Sequence, residues 1–567
     1  MLFKTKIRSQ YMWIVSKNRL DTGGDINLPR PVVPHAFVTP PPPLSILFHK
    51  MDASILALAA LALCGIVLMQ YQNKKARGRV RHPPSPKSWP LVGNLFSVPS
   101  GVEWLAYMKL GRLMNSDILY LHILGQKILV LNSARAASDL LDKRSASYSD
   151  RMCPPMIKDP TLFYWAENMG IIGYTDRWRQ YRRITSNTLN LRVIDQYHGL
   201  LEKQAQLLLQ RLLRISDHVP TFDQVKEIFF FTTASSLFRL SYGYHLQDKE
   251  DRFFVESKIA VDHICEAAMY TNFLVNLFPA LTYIPGWFPG MGWKRTAKQW
   301  RLQKDNAMAA PYEWAKSQIN AGVAEPSMLH HCFENRRLLS ETDEAKREDI
   351  LKDLAHAIYG AGTDTSSNVL IKFVAAMVLN PAMQTKAQQE LDNNIGPVTL
   401  PVLSDRERLP YIQNLIKEVL RWHPVAPLGL PHMCYQDDNY RGYDIEKGTI
   451  VIGNIWAMSR DELVYDDPEA FNPDRYLDPT LPEIPSFGWG RRKCPGVHLA
   501  EASLFIMITS MLATFTFSKK KDANGADIPT SIESTENTLV LGLDPFQFDV
   551  TIRSAKHCQL VESTQGH

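Results

Sequence analysis

In the decapeptide Phe487-Gly488-Trp489-Gly490-Arg491-Arg492-Lys493-Cys494-Pro495-Gly496, one thiol sits in a glycine-bounded loop, with cations just before it and an apolar helical pattern, 497–507, just after. Of the seven cysteines only Cys494 has such surroundings. Cations and a helix N-terminus both favour thiolate over thiol, and glycines let backbone approach a flat cofactor. A thiolate bound axially to haem iron pushes electron density onto it and promotes O–O cleavage, whereas a histidine ligand suits oxygen carriage or peroxidase work. The chemistry implied is therefore a haem-thiolate site that activates oxygen. Taken alone, the loop would also suit a buried, inert cysteine in a glycine-rich turn.

Three further clusters have types and spacings of interest. Glu418 and Arg421 stand three apart in the amphipathic run 411–422 and share a helix face; on spacing alone they read as a surface ion pair of small worth. Ala361-Gly362-Thr363-Asp364-Thr365-Ser366 interrupts a long helical pattern that ends at Asn380-Pro381. Glycine costs about 1 kcal/mol against alanine mid-helix, and Ser and Thr divert backbone hydrogen bonds, so the cluster needs a packing or functional reason; a locally bent helix without chemistry is one such reason. Trp178 and Arg182 lie one turn apart on a helix introduced by Asp176. They could give an N–H and a guanidinium to buried carboxylates, or form only an aromatic stripe on a surface helix.

Together these motifs resemble the cytochrome P-450 superfamily. Phe487, Gly490, Arg492, Cys494 and Gly496 match its cysteine-loop pattern F-x-x-G-x-R-x-C-x-G. The resemblance implies Cys494 as the axial ligand of haem b, and Glu418, Arg421 and Arg475 (in Phe471-Asn472-Pro473-Asp474-Arg475-Tyr476) as a buried structural trio. It implies Trp178, Arg182, His432 and Arg492 as propionate contacts. Gly362 would let dioxygen and haem approach the backbone, Thr365 would hydrogen-bond oxygen as it is reduced, and Asp364 would relay protons from solvent. The subgroup it resembles is that of fungal membrane-bound members acting in natural-product pathways or on xenobiotics, through Pro427-Leu428-Gly429-Leu430-Pro431-His432 and the strand Tyr440-Arg441-Gly442-Tyr443.

The elements that must position these groups are mainly helical. Helical periodicity dominates after residue 190, and strand-like runs such as 118–121, 127–131 and 538–543 are few, so the expected fold is mainly α with a minor β-sheet. Motifs hundreds of residues apart must surround one haem, which makes 91–555 a single catalytic domain against the simple length prior. Composition is level across it, with 45% hydrophobic and 21% charged residues, and a net charge of +5 without a long basic stripe does not imply nucleic acid. Seven scattered cysteines without a C-x-x-C pair imply a reducing compartment.

Upstream, 53–69 carries no charge and would span roughly 26 Å as a helix. Segment 51–71 is thus expected to be a single transmembrane helix, with Lys74, Lys75, Arg77, Arg79 and Arg81 keeping that side cytosolic. The basic, proline-rich hinge follows at 72–90, with Ser85 where the family commonly has glycine. By resemblance the protein is placed in the endoplasmic reticulum membrane, catalytic domain facing the cytosol. Residues 1–50 carry a cationic excess and fit this pattern poorly; one reading starts translation at Met51, another sees an imitation of a mitochondrial presequence. Residues 556–567 are expected to be a tail.

The resemblance implies a mostly apolar pocket lined by Phe163, Tyr164, Trp165, Ile171, Ile172, Ile358, Ala361, Leu428–Leu430 and 538–540, suited to a lipophilic terpenoid, steroid or polycyclic aromatic substrate. The aromatic stretch 273–293 resembles a loop that dips into lipid. The chain holds no flavin or nicotinamide fold, so electrons from NADPH must come through a separate NADPH-cytochrome P-450 reductase, with cytochrome b5 as an optional second donor. Arg491 and Lys493 are candidate docking contacts for its acidic surface. A haem-thiolate isomerase or dehydratase, and a non-catalytic haem-binding membrane protein, are the alternatives to a monooxygenase.

Overall fold

The first sheet is seeded by β1 (Ile118–Ile123) and β2 (Gln126–Leu131), two of the predicted strands, joined through Leu124 and Gly125, both at positive φ (47° and 88°). Positive φ at both central residues matches the twist of the flanking strands. The computed structural model describes residues 80–564, except residue 100 and 217–219, 270–271, 336–342 and 535–537. Residues 1–50, the expected anchor at 51–71 and the hinge as far as 79 lie outside the described residues.

Further strands are β3 (His432–Met433), β4 (Asp438–Tyr440), β5 (Tyr443–Ile445), β6 (Ile450–Gly453), β7 (Phe515–Lys519) and β8 (Phe548–Ile552). The sheet order is β1-β2-β6-β3, with β2 and β6 parallel; β4 pairs with β5, and β7 with β8. The predicted Tyr440–Tyr443 strand is a hairpin turning through Arg441 and Gly442 at φ 53° and 79°. The predicted strand at 538–543 is absent: the segment is irregular, and Leu541 N–H donates to Val425 O (2.7 Å). Gly542 interrupts it, Pro545 follows two residues beyond it, and strand pairing moves downstream to β8.

The helices that build the core are α1 (Glu103–Leu113), α2 (Asp176–Thr188), α3 (His198–Ser216), α4 (Phe222–Tyr242), α5 (Arg252–Ala268), α6 (Trp293–Asn320), α7 (Glu344–Leu379), α8 (Pro381–Asn394), α9 (Pro410–Trp422), α10 (Val497–Thr514) and α11 (Ala555–Ser563). The second half of α7 and most of α10 are buried on every face, as expected of helices that are apolar all round. Phe229 and Phe238 of α4, Leu208 of α3, Phe373 of α7, Leu415 of α9 and Phe505 of α10 share one core cluster. Each such side chain contributes roughly 1.5–3 kcal/mol when fully buried. Although α10 is long and apolar enough to cross a membrane, 78% of it is buried inside the protein. Asn380-Pro381 ends α7 where expected, and α8 leaves at 107°.

The packed unit extends beyond 91–555. His82 stacks on Tyr120 with ring centroids 4.0 Å apart, and Tyr120 N–H donates to Pro84 O (3.0 Å), tying the proline-rich segment to β1. At the other end the expected tail contains α11, which buries His557 and Val561.

Candidate active site

The cysteine loop is held at both ends by backbone chemistry. Cys494 N–H donates to Phe487 O (2.8 Å), closing the turn, and α10 starts at Val497, directly after Gly496. Gly490, at φ 50°, donates to Asp142 Oδ1 (2.6 Å), and a Cβ there would lie 2.3 Å from Leu141 O. Only glycine lets the loop approach that closely. Trp489 fills the space beside Gly453 of β6, where a Cβ would meet its ring at 2.3 Å.

Burial pushes the Cys494 thiol up, against the opposing pull of the Gly496 N–H, Arg182 and Lys493. The neighbouring cations and the loop N–H do favour thiolate, as expected, but desolvation outweighs them. A bound metal reverses that balance, since a coordinating thiol loses its proton outright.

Beside Cys494 lies an excess of buried positive charge. Arg492 donates from Nε to Ser149 O (2.8 Å) and from Nη2 to Ile172 O (2.7 Å), and its guanidinium lies 4.5 Å over the Trp178 ring. Arg182 lies 6.0 Å from the same ring and donates to Lys493 O (2.8 Å), joining α2 to the cysteine loop. The Thr175 hydroxyl caps α2 by accepting Trp178 N–H (3.3 Å), so the helix begins where it must to present both residues. His432 Nδ1 meets Tyr148 O at 2.7 Å; burial, Arg151 and Arg492 all hold its imidazole neutral.

Arg151 was not singled out by sequence. It is 8% exposed, donates to Leu430 O and Pro431 O, and leaves a buried Nε without a partner. Burial and the Arg492 charge push Arg151 well down, with Asp150 opposing; burial likewise brings Arg492 to about 10. Three guanidiniums against one carboxylate, with a buried donor to spare, fit a group that brings two carboxylates, as haem does. The one sequence signal was an Arg adjoining an apolar, proline-bearing stretch, Met152-Cys153-Pro154-Pro155.

Glu418 and Arg421 are fully buried on α9. Arg421 donates from Nε and Nη2 to the two Glu418 oxygens at 2.8 Å each, and Arg475 Nε donates to Glu418 Oε1 at 3.0 Å. Arg421 also donates to Ser459 O (2.8 Å), Pro468 O (2.7 Å) and Ala470 O (3.0 Å), so it clamps the segment that precedes the cysteine loop. Burial works against the Arg421 charge, but its bonds to Glu418 outweigh it and hold the guanidinium above its ordinary value.

On α7, Thr365 Oγ1 donates to Ala361 O (2.7 Å), and Ala361 is exposed although mid-helix. Gly362 has a different surrounding from that expected: a Cβ there would lie 2.8 Å from Leu237 Cδ1, so its smallness admits α4. Asp364 Oδ1 accepts Asn368 Nδ2–H (2.9 Å), and burial raises the carboxyl above its ordinary range, with Asp262 adding to the rise and Lys226, Lys372 and Asn368 opposing it. An ion pair of Arg177 with Asp353, to which Tyr181 also donates (3.0 Å), fastens α2 to α7. The structure thus joins the cysteine loop, α2, Arg151 and His432 directly, and ties α7 to them through α2.

The family described as Cytochrome P450 matches residues 83–547. Cytochrome P450 monooxygenase 98 of Postia placenta is 36% identical over 482 residues, covering 84% of this chain and 90% of that protein. The tryptamine 4-monooxygenase of Psilocybe cyanescens is 34% identical, covering 84% and 94% respectively. A zebra fish cytochrome P450 solved with abiraterone superposes with a TM-score of 0.63 at 22% identity, covering 80% of this chain and all of that one, and shares the fold. With a haem-binding family matched over most of its length and fungal monooxygenases among its relatives, this chain belongs to the cytochrome P450 family and is a monooxygenase.

Proposed function

We propose that the chain inserts one atom of dioxygen into a C–H bond, or across a C=C bond, of a lipophilic small molecule, the other atom leaving as water. Electrons come from NADPH through a separate membrane-bound reductase. The observation that carries this reading is the Cys494 pocket, a half-buried thiol whose charged form desolvation disfavours, flanked by guanidiniums that outnumber their carboxylates. Haem bound through Cys494 supplies oxygen activation. Arg151, Arg182 and Arg492, with the Trp178 ring and neutral His432, bind and orient its carboxylates. Asp364, whose raised pKa keeps a proton within reach, serves as the acid, and the Thr365 hydroxyl, its own proton engaged with Ala361 O, keeps its lone pairs free to accept a hydrogen bond.

Phe163 and Trp165, both buried, support an apolar substrate, and the tryptamine oxidised by one relative is a small aromatic. Tyr283, Trp287 and Phe288 are 89%, 81% and 49% exposed, which supports docking of this stretch on the bilayer. With an anchor at 51–71 the protein would reside in the endoplasmic reticulum membrane, facing the cytosol. Lys493 is exposed, and Arg491 is exposed yet donates to Tyr174 OH (2.5 Å); both remain candidate reductase contacts.

The test is the carbon monoxide difference spectrum of the reduced, membrane-expressed protein beside Cys494→Ala, followed by NADPH consumption with reductase and a panel of lipophilic compounds. A red-shifted Soret band lost in the variant, with oxygenated products, is expected. A thiolate band without oxygenated product from any class of compound would overturn the substrate reading. Reversing the charge of Arg491 and Lys493 should slow reductase-supported turnover and spare a peroxide-driven one.

A further inference from the structure

Lys372 lies two turns beyond Asp364 on α7, in a run, 369–378, where every other residue is apolar. Its side chain is 0% exposed. One long hydrogen bond, to Pro424 O at 3.4 Å, is what it makes among the described residues. An ammonium in such a place needs an opposite charge. The opposite charge that acts on it is the Asp364 carboxyl.

Positions 364, 368 and 372 stand at i, i+4 and i+8, so they form one stripe along the helix. Side chains on a helix lean toward its N-terminus, each over the one before. Asn368 occupies the middle rung: its Nδ2 donates to both Asp364 O and Asp364 Oδ1 at 2.9 Å. Those two hydrogen bonds fix the amide and turn Asn368 Oδ1 away from Asp364, where it is buried and unpartnered near Gly542 and Lys226 Nζ.

We infer that Lys372 is a positioning residue for proton delivery: through the stripe Asp364, Asn368, Lys372 it acts as the internal counter-ion that sets how readily the Asp364 carboxyl gives up and regains its proton. The inference rests on the reading of Asp364 as the acid. Lys372 itself neither gives nor takes a proton in the step; the proton leaves Asp364 and is replaced from water. The other groups that face this pair are Lys226 of α4, Asp262 and Cys265 of α5, Tyr359 of α7, and His423 at the end of α9. Of the two cations acting on Asp364, Lys226 has the larger effect but is partly exposed, so solvent and salt can reach it, whereas Lys372 is sealed from both. Burial also brings the Lys372 ammonium down to about 7 while Asp364 holds it up, so its charge is poised within the working range of pH.

The experiment compares the full-length enzyme with Lys372→Met, Lys372→Gln and Asp364→Asn in two readouts. One is product formed per NADPH consumed, followed against pH. The other is the infrared titration of the Asp364 carboxyl, with Asp364→Asn as the blank. Removing a nearby cation raises a carboxyl pKa, so in both Lys372 variants the alkaline limb of coupling, where the acid loses its proton, and the infrared titration should move to higher pH together, by about one unit. Lys372→Gln keeps a donor for Pro424 O without the charge, so it decides the matter if Lys372→Met fails to fold. An unmoved infrared titration in the variant that folds overturns the role of Lys372. Full coupling in Asp364→Asn overturns the relay itself, and is seen independently of any Lys372 variant.

Discussion

Lys372→Met is expected to stabilise the protein at neutral pH, and the size and pH dependence of the gain follow from the burial of one ammonium. The folded-state pKa lies at about 7 against an ordinary 10.5. A displacement of that size corresponds to roughly 5 kcal/mol spent on charging the amine inside the protein. The sign is that of a depressed base. Above 10.5 the amine is neutral folded or unfolded and costs nothing; below about 7 it is charged in both states and the full cost applies; between them wild type loses stability as pH falls. Met fills the same slender volume without a charge, giving up the long bond to Pro424 O and the attraction of Asp364, which the displacement to about 7 already includes. Between pH 8.5 and pH 7 wild type should therefore lose about 2 kcal/mol relative to Lys372→Met, or roughly 2 °C in the unfolding midpoint of a unit this large. The assay is loss of helical circular dichroism on heating at one fixed scan rate, for both proteins, at half-unit steps of pH. A gap between the midpoints that does not change with pH, or a variant less stable than wild type at pH 7, would refute the reasoning.

Glu418→Gln leaves two guanidiniums, Arg421 and Arg475, without their anion; breaking such a buried pair costs about 3–5 kcal/mol, so the urea midpoint should fall and the thiolate carbon monoxide band should be lost at temperatures where wild type keeps it. Arg151→Ala relieves the buried repulsion with Arg492 but removes a donor for the haem carboxylates, so haem should pass to an acceptor such as apomyoglobin at least about tenfold faster, the equivalent of 1.4 kcal/mol, with the fold intact by circular dichroism. In haem-free protein the raised pKa of Cys494 leaves it a thiol, so alkylation by iodoacetamide at pH 7 should be slower than that of glutathione, and haem should protect it fully; rapid alkylation of the haem-free form would show that Arg182 and Lys493, not burial, control the sulfur.

What sequence made legible was whatever a short segment determines by itself. The loop around Cys494, the Glu418–Arg421 spacing and the Trp178–Arg182 turn each lie on one element, and the structure sets each on the element its local pattern indicated, although the Glu418–Arg421 pair is buried and not, as spacing alone indicated, on the surface. Helix α7 was legible through its periodicity and its proline stop. What escaped depends on contacts between elements. The role of Gly362 looked like one of ligand approach, but its missing Cβ faces Leu237 across a helix crossing that no local pattern encodes. The strand at 538–543 had the right residue types; its neighbour is the chain at Val425, which offers it one bond and no ladder. Arg151 and Lys372 could not be told from surface cations, because burial is a property of the assembled fold and both sit among residues that pack from distant segments.

Those two cations bear on one question, the placement of charge in two parts of the candidate site, the arginine cluster by the cysteine loop and the Asp364 stripe of α7. In the first, Arg151, Arg182 and Arg492 crowd together in a half-buried pocket, held by bonds to backbone carbonyls. Such an arrangement is unfavourable for the chain alone and becomes favourable when two carboxylates enter it, so part of the binding energy of haem is released repulsion and not only new contact. In the second, α7 carries the converse, a carboxyl raised by burial with a buried ammonium two turns away. Only the first imbalance is relieved when haem binds. The second persists, and a carboxyl that keeps its proton within easy reach is what acid catalysis requires. The two clusters therefore differ in kind: replacing Arg151 should alter how tightly haem is held, and replacing Lys372 should alter the pH at which oxygen chemistry is coupled, with little exchange between the two effects because the sites share no side chain.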